Sequence, residues 1–482
     1  MATITSNASG NWSVGATWVG GVAPADNDAV VIAAGHAVLM DADLSAYTGL
    51  QTVTINSAAS GTPGMLYFKN GTSGYLKIRT GYNLVGSNNT VKGRLLANSD
   101  GVWGNTGMLA FADKAVILLG GTSKIDATYL DIALYCTTAT QKYVETYKTA
   151  YTCTTQSTDV NPTTDVITFT GAPPAAGTKV IVKSSGTLPG GLTVSDIYYT
   201  RSVSGNTCKL ALQDSDSAIV DITSTGSGTL TMYDGHTNTA TATINVIQDV
   251  TGDAAWVATS GHNRVSLVSF NGDIQRLTLS SISSGSMTLS GNIDSIQYPG
   301  AIIALVSRNV SIRSSGTSAT QAIVDFSSNS SRFGVFQCEI VNTSGGGATY
   351  YGYGIYSGTG NVVSGSIGWC HSGLYGGVSA VVSGIIIACK NGLNTSTLFF
   401  VSGNLIGNAN YSVFGCTDCI ISGLIYGSSI ALYASYNCGS NGIISSCDAA
   451  FLSSSGCYSY GSIVGCNYGA SSRSSPILNG AV

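Results

Sequence analysis

Hydrophobic positions in this sequence come in short runs rich in Val and Ile, and Gly, Ser, Thr and Asn separate these runs almost everywhere. No stretch carries apolar residues at the sustained spacing of about 3.6 residues that an amphipathic helix requires. Short β-branched runs bounded by turn residues are typical of β-strands. The pattern therefore predicts an almost pure β protein with many short strands and tight turns.

A repeat in the last third of the chain decides the predicted fold. Six glycines follow one another at a step of 19 residues, except for one step of 20 between the third and the fourth. Leucine-rich repeats and parallel β-helices both have periods near this length, but these copies carry β-branched runs and one bulky position instead of several Leu. We predict an all-β fold, a right-handed single-stranded parallel β-helix with an inserted small β-domain. The coil-turn glycines are Gly365, Gly384, Gly403, Gly423, Gly442 and Gly461.

Small side chains stand five residues after each repeat glycine. In a β-helix, equivalent residues of successive coils stack about 4.8 Å apart. We expect this column to form a tight interior ladder, with the glycines allowing the turn beside it. Parallel Cβ atoms at that spacing are farther apart than the roughly 3.8 Å that a disulfide prefers, so free, buried thiols are expected. The ladder residues are Cys370, Cys389, Asn408, Ser428, Cys447 and Cys466.

Composition changes between residues 155 and 233, where the chain has its own strands and turns and most of the local Asp. We predict an N-terminal cap and the first β-helix coils at 1–154, and an inserted small β-domain at 155–233. The β-helix is expected to continue at 234–482, with coils of 19–20 residues from about 345.

Two segments resemble known families. The block at 12–41, with Trp12, Trp18, Pro24, Asp28 and a Gly-His turn ending at His36, resembles the opening of β-helix proteins related to the domain family named for its eight glycines. The strand-like segment at 301–315 (AIIALVSRNVSIRSS) is similar to one that follows in such proteins. This resemblance implies architecture only, so we interpret His36 as a turn residue and both Trp residues as the lid of the first coil.

The inserted segment resembles a module that recurs in tail and other virion proteins of tailed bacteriophages. The resemblance rests on residues 186–192 (GTLPGGL), 197–199 (IYY), 206–210 (NTCKL) and 226–228 (GSG). The module is a scaffold element, so it implies a virion context and no catalytic residues.

Charge narrows the choice of partners. Charged residues make up 9% of the 482, and the net charge is -4. Scattered Lys and Arg do not create the strong positive field that nucleic acid requires, so no nucleic-acid partner is expected. No apolar run approaches the roughly 18 residues of a membrane span, and the first residues lack a secretory pattern. We therefore expect a protein made in the host cytoplasm, with no membrane insertion and no cofactor.

Candidate catalytic groups are sparse. Across 345–482 the acidic residues are Asp418 and Asp448, which are 30 positions apart and so do not share a coil face at the spacing of a glycosidase pair. Asp253, Asp273 and Asp294 lie about 20 apart, and a solvated turn explains them as well as a hydrolytic site does. The Cys416–Cys419 CxxC pair has no second pair or His at zinc-site spacing. We predict no metal site, no catalytic residues and no enzymatic activity.

Tyrosine stands out among the small and polar residues that dominate the sequence, with 25 residues in the chain. Tyr350, Tyr351, Tyr353 and Tyr356 cluster beside Gly, which is typical of an adaptable recognition surface, although packing along the fold or between subunits explains them equally well.

Taken with the resemblances, this suggests a structural virion protein of a tailed bacteriophage, a homotrimeric tail fibre or spike component that meets other virion proteins and a host-surface glycan. The alternatives are a capsid-decorating or head-fibre protein without a receptor, and a polysaccharide-depolymerising tailspike. A bacterial surface adhesin is less favoured because the sequence lacks a secretory pattern.

Overall fold

The structure is a computed structural model. It describes residues 1–69, 72–97, 115–134, 140–194, 196–235, 243–248, 264–268, 274–283, 285–289, 301–307, 310–326, 334–344, 349–466, 468–471 and 477–478. The chain divides into two compact units, the first made of residues 1–141 and 306–482 and the second of residues 142–305.

The first unit is a stack of coils whose strands form three parallel sheets. This arrangement confirms the predicted all-β, parallel β-helix class. The first sheet comprises Thr3–Thr5, Ala29–Ile32, Val53–Ile55, Leu84–Gly86, Ile125–Asp126, Ala322–Asp325, Tyr351–Tyr356, Cys370–Tyr375, Asn391–Asn394, Tyr411–Phe414, Ile430–Tyr433, Ala449–Leu452 and Tyr468–Ser471. The second sheet comprises Gly74–Ile78, Ala115–Leu119, Val310–Ser314, Glu339–Asn342, Ser366–Gly368, Ile385–Ile387, Asn404–Ile406, Leu424–Tyr426, Ile443–Ser445 and Ile463–Val464. The third comprises Gly10–Asn11, Ala37–Leu39, Met65–Phe68, Gly93–Ala97, Leu130–Leu134, Gly334–Phe336, Val362–Val363, Val381–Val382, Phe400–Val401, Ile420–Ile421, Gly439–Ser440, Tyr458–Ser459 and Ile477–Leu478.

Each repeat of the sequence contributes one strand to each sheet. Residues 19 apart pair in register, as Leu374 does with Leu393, and the step becomes 20 in the next coil, where Leu393 pairs with Val413. Apolar side chains at equivalent positions therefore stack in continuous interior columns. One such column has side chains at most 2% exposed, and each contributes about 2 kcal/mol by leaving water. It contains Ile355, Leu374, Leu393, Val413, Leu432 and Phe451.

Each coil of the repeat region turns at three corners, and a residue with a left-handed backbone recurs at each corner. One corner column repeats at the coil step and includes Thr395, Ala434 and Ser453, with φ values of 48°, 49° and 52°, beside Gly376 at 66°. L-residues avoid this conformation because Cβ approaches the backbone, at a cost of about 1 kcal/mol or more. These corner residues are therefore locally strained, and the same backbone conformation recurs in successive coils.

The repeat glycines are required by a close approach between coils. A Cβ atom on Gly384 would overlap with the carbonyl oxygen of Gly365, and the same holds for Gly403 against Gly384, and for each later pair. None of the six glycines has a positive φ. We expected glycine at these positions because it allows a turn. The geometry gives a different reason, which is that the backbones of neighbouring coils leave no room for a side chain.

The expected ladder residues lie in the interior. Cys370, Cys389, Asn408, Ser428 and Cys447 are at most 3% exposed, and Cys466 is half-buried. Within one coil, Asn408 Nδ2 donates to Ser412 Oγ at 3.4 Å. The hydroxyls of Ser412 and Ser428, which belong to successive coils, lie 2.6 Å apart. Eleven cysteines fall within the described residues, and all of them are free thiols.

The Cys416–Cys419 pair also faces the interior. Cys416 is 1% exposed and Cys419 is fully buried. Cys419 begins a second thiol column that continues with Cys438 and Cys457, whose sulfurs approach carbonyl oxygens of the preceding coil.

At the N-terminal coil, Trp12 and Trp18 are each 1% exposed and meet edge to face at 5.0 Å. Trp18 Nε1 donates to the carbonyl of Trp12 at 2.8 Å, and the short 3-10 turn Gly15–Thr17 separates the two residues. His36 Nδ1 lies 2.8 Å from Ser6 Oγ, so the imidazole has a partner on the neighbouring coil.

The second unit holds two antiparallel β structures with separate cores. A seven-stranded sheet orders its strands as Ala150–Cys153, Leu230–Asp234, Lys179–Ser184, Tyr198–Ser204, Thr207–Ala211, Val166–Thr168 and Val160–Asn161. A closed barrel orders them as Thr140–Tyr147, Thr243–Val246, Ser286–Leu289, Ile274–Ser283, Arg264–Val268 and Ile302–Ser307. Helical turns of this unit are Gln156–Asp159 and Asp216–Ala218, and the turn Ala127–Tyr129 belongs to the first unit.

These boundaries differ from the expected division at 154/155 and 233/234. The seven-stranded sheet occupies nearly the expected 155–233. The described strands Thr243–Val246, Arg264–Val268, Ile274–Ser283 and Ser286–Leu289 belong to the barrel and do not continue the β-helix. Barrel strands and β-helix strands share the same short apolar runs, and long-range antiparallel pairing leaves no local signal. The β-helix itself resumes at Val310–Ser314, which pairs with Ala115–Leu119 across the insertion.

Candidate functional site

The outer face of the first sheet carries two clusters of stacked aromatic rings, which we call the aromatic face. Its residues come from strands of four coils. In-register pairing aligns Tyr356 with Tyr375, and Phe414 with Tyr433, so that rings of neighbouring coils lie one above the other. The first cluster is Tyr353, Tyr356 and Tyr375, and the second is Tyr411, Phe414 and Tyr433.

Ring geometry in both clusters is that of parallel stacking. In the first, Tyr353 and Tyr375 have centroids 4.5 Å apart and planes 19° apart. In the second, Tyr411 and Tyr433 are 4.6 Å and 10° apart. This separation follows from the distance between coils, and offset stacks of this kind contribute about 1 kcal/mol per pair beyond area burial.

A coil with two amides separates the clusters. Asn394 lies in register between Tyr375 and Phe414, and Asn391 pairs with Tyr411. These amides are 5% and 6% exposed, and the Oδ1 atoms of both have no hydrogen-bond partner. Asn394 Nδ2 donates to Ser372 Oγ at 3.1 Å. The space between the two aromatic clusters is thus lined by amide groups with spare acceptor capacity.

A polar column runs beside the aromatic face. Its residues each directly precede a register-paired strand residue, and therefore stack along the same corner of the coils. From one end to the other they are His371, Lys390, Asn410, Ser429 and Asp448.

His371 links the polar column to the first cluster. Its ring lies edge to face with Tyr353 at 6.1 Å, and Nδ1 is 3.4 Å from Ser372 Oγ. Burial, and then the charge of Lys390, hold the pKa of His371 below its usual value, so the imidazole is neutral at neutral pH. Burial likewise raises the pKa of Tyr353, with smaller effects from Tyr375 and Tyr356. The site therefore offers neutral donors, one ammonium group and aromatic surface.

Of the four tyrosines predicted as a recognition surface, the structure brings Tyr353 and Tyr356 into the aromatic face. Tyr350 and Tyr351 are half-buried, and neither is one of the three rings that define the first cluster. Sequence reasoning did not select Phe414, the two amides or the polar column. The 19-residue register contained the signal, because adding one step to Tyr356 reaches Tyr375 and two more steps with the 20-residue coil reach Phe414.

The third sheet carries a second exposed feature, which we call the apolar stripe. Val381, Phe400 and Ile420 pair in register and are 39%, 45% and 38% exposed. Leu398, at a neighbouring corner, is 53% exposed. Contiguous apolar side chains on a surface mark contact sites between proteins.

The expected acidic groups do not assemble into a pair where the structure describes them. Asp418 occupies a left-handed corner with φ of 54°, and Asp448 is exposed in the polar column. Asp253, Asp273 and Asp294 lie outside the described residues. Within the described segments, no group of three or more His, Cys, Asp or Glu residues is placed to hold a metal ion, and no helix there is long and apolar enough to cross a membrane.

No protein-family model and no curated protein matches this sequence. Among solved structures, the chain is similar to the tailspike of Acinetobacter baumannii bacteriophage AP22 in complex with A. baumannii capsular saccharide, at 9% identity and a TM-score of 0.18, over 86% of this chain and 64% of that one. The tailspike of Pseudomonas phage phi297 gives 9% identity and a TM-score of 0.14, over 82% and 66%. A protein described as a glycoside hydrolase gives 8% and 0.19, over 86% and 88%. This chain thus spans slightly less than two thirds of the length of the two tailspikes.

These likenesses concern the fold alone. They do not extend to the eight-glycine family, for which no model matches. The expectation that the chain is not an enzyme is wrong against these neighbours, since a glycoside hydrolase and a saccharide-bound tailspike are among them.

Proposed function

We propose that this chain is a tail fibre or spike component of a tailed bacteriophage and binds a glycan of the host surface along the aromatic face. The observation that carries the proposal is the alignment of six aromatic rings on one outer face, in two clusters separated by amides. Sugars present apolar C–H faces and many hydroxyls, and aromatic rings with amide groups match both.

The virion context rests on the inserted segment, whose sequence resembles a module of phage tail and virion proteins. In this proposal the protein is assembled in the host cytoplasm and becomes part of the particle, where it contacts other virion proteins.

We further propose that three copies associate through the apolar stripe. An exposed row of Val381, Phe400 and Ile420 costs solvation free energy in a lone chain, and a closed symmetric assembly removes that cost. The same stripe also suits a head-fibre or capsid-decorating role, in which another virion protein covers it. Sedimentation of the purified chain distinguishes the two: a trimer that Phe400→Glu dissociates supports self-association, and a wild-type monomer contradicts it.

Glycan binding is tested by exposing the full chain to a panel of purified bacterial capsular polysaccharides and lipopolysaccharides. Tyr375→Ala and Tyr411→Ala should each weaken binding about tenfold or more, because each removes a ring that borders the amide coil. Tyr436→Ala is the matched control, since Tyr436 is 54% exposed at a different corner and belongs to neither cluster.

Binding that survives both cluster variants would contradict the aromatic face as the site, and a panel without any binder would contradict the glycan proposal. New reducing ends or unsaturated uronates in the incubated glycan would add cleavage to binding. Antibody labelling of intact particles separates the tail from the head location.

A further inference from the structure

The polar column is asymmetric in charge. Lys390 and His371 occupy one end on consecutive coils, about 4.8 Å apart along the stack, and Asp448 lies three coils from Lys390. Between 349 and 466, Lys390 is the single Lys or Arg. No carboxylate is within ion-pair distance of its ammonium among the described residues. In a chain where charges are so scarce, a cation without an acidic neighbour beside an aromatic cluster requires an explanation.

A hydrogen-bond chain orients the imidazole beside this cation. Asn394 Nδ2 donates to Ser372 Oγ at 3.1 Å, and Ser372 is fully buried. Ser372 Oγ lies 3.4 Å from His371 Nδ1. In the tautomer in which Nδ1 accepts from this hydroxyl, the single proton of the neutral ring is on Nε2. His371 in this tautomer presents an N–H donor in the same column as the Lys390 ammonium.

Two donors on adjacent coils match the two oxygens of a carboxylate. An ammonium gives a charge-assisted hydrogen bond to one oxygen, and a neutral N–H serves the other without a second positive charge. Tyr353 lies edge to face with His371 and stacks on Tyr375, so that the ring of a sugar bearing the carboxylate would meet aromatic surface. Neutral hydroxyls would not need the cation.

We propose that His371 and Lys390 form a subsite for the carboxylate of an acidic sugar, so that the glycan bound at the aromatic face is a polyanion with its acid group at this end. The inference rests on the proposed glycan function and adds the class of ligand. It also sets an orientation, because Asp448 at the far end of the column repels a second carboxylate there.

The test compares one saccharide in two forms. The probe is the panel polysaccharide that binds the wild-type chain most tightly, used intact and after carbodiimide activation and borohydride reduction, which convert carboxylates to primary alcohols. Reduction should weaken wild-type binding about tenfold to a hundredfold, the range for losing a hydrogen bond to a charged group. Lys390→Gln should lose the same factor toward the intact probe and nothing further toward the reduced one.

Controls separate charge from folding. Lys390→Arg keeps the charge and should retain most of the affinity, while Lys77→Gln removes a half-buried lysine of another sheet and should leave binding unchanged. His371→Phe keeps a ring against Tyr353 but removes both nitrogens, and should also weaken binding to the intact probe alone. Thermal unfolding of each variant confirms that the β-helix is intact.

The outcomes are distinguishable. A best binder without carboxylates, a reduced probe that binds as tightly as the intact one, or Lys390→Gln without effect would each overturn the acidic-sugar subsite and leave glycan binding standing. A panel in which nothing binds would remove the proposed function, and this subsite with it.

Discussion

Replacing Gly403 by Ala tests the contact on which the coil stack depends. A Cβ at this position would overlap with the backbone carbonyl of Gly384, which cannot rotate away as a side chain can. The two coils must therefore separate locally, and two hydrogen bonds weaken as they do: Asn404 N to Gly384 O at 2.9 Å and Gly403 N to Val382 O at 3.0 Å. Overpacking costs about 1–3 kcal/mol, and each weakened bond costs up to about 1 kcal/mol. We expect a loss of about 3 kcal/mol.

Gly376→Ala is the matched control. At Gly376 an added Cβ has no atom within 4 Å, and φ is +66°. The cost there is the left-handed conformation alone, about 1 kcal/mol, partly offset because Ala loses less chain entropy than Gly on folding.

Scanning calorimetry of wild type and both variants measures the difference. Gly403→Ala should lower the β-helix transition by several degrees and clearly more than Gly376→Ala. Equal shifts, or a Gly403→Ala protein that melts like wild type, would refute the close backbone approach as the reason for the repeat glycines.

Three further predictions concern the corners and the thiols. Ala434→Gly should stabilise the β-helix by up to about 1 kcal/mol in denaturant titrations, because it relieves a left-handed Ala; a destabilised variant would contradict the strain at that corner. Cys389→Trp should prevent folding through overpacking of a fully buried position, and a soluble variant with a normal melting transition would place that column outside the core. Hydrogen bonding with Cys416, with burial adding to it, raises the pKa of Cys419 to about 12, and the bond with Cys419 does the same for Cys438. Unfolded thiols ionise near pH 8.5, so the folded state holds more protons above that pH, and stability should fall as pH rises beyond about 9. Thiol-specific reagents should leave both cysteines unmodified at neutral pH until the chain is denatured, and rapid labelling of the native protein would contradict their burial.

The coil step was visible in the sequence because it repeats. Gly365 to Gly461 align with one another, and stacking of equivalent residues follows from the geometry of any coil of constant length. The one step of 20 was visible too, and it now falls between Leu393 and Val413 in the register. Periodicity therefore predicted the fold class without a relative.

The barrel, the corner conformations and the composition of the candidate site could not be predicted from the sequence alone. The barrel strands of the second unit carry no period, so their pairing, for example Thr243 with Thr288, could not be read from local patterns. Ala434 has a left-handed backbone conformation, which an alanine in the sequence does not predict. In the candidate site, clustered tyrosines near 353 were visible, but which of them face outward depends on Gly352, whose φ of 69° interrupts the alternation of the strand.

The uniform coil step makes the spacing along the aromatic face adjustable in whole units. Deleting residues 384–402 would remove one complete turn and leave every remaining strand in register, so that Tyr375 would adjoin Phe414 and the six rings would form one uninterrupted stack. Duplicating the same turn would instead move the two clusters apart by one coil height. A lineage that carries this architecture can therefore change the spacing between the two aromatic clusters by gaining or losing nineteen codons in frame.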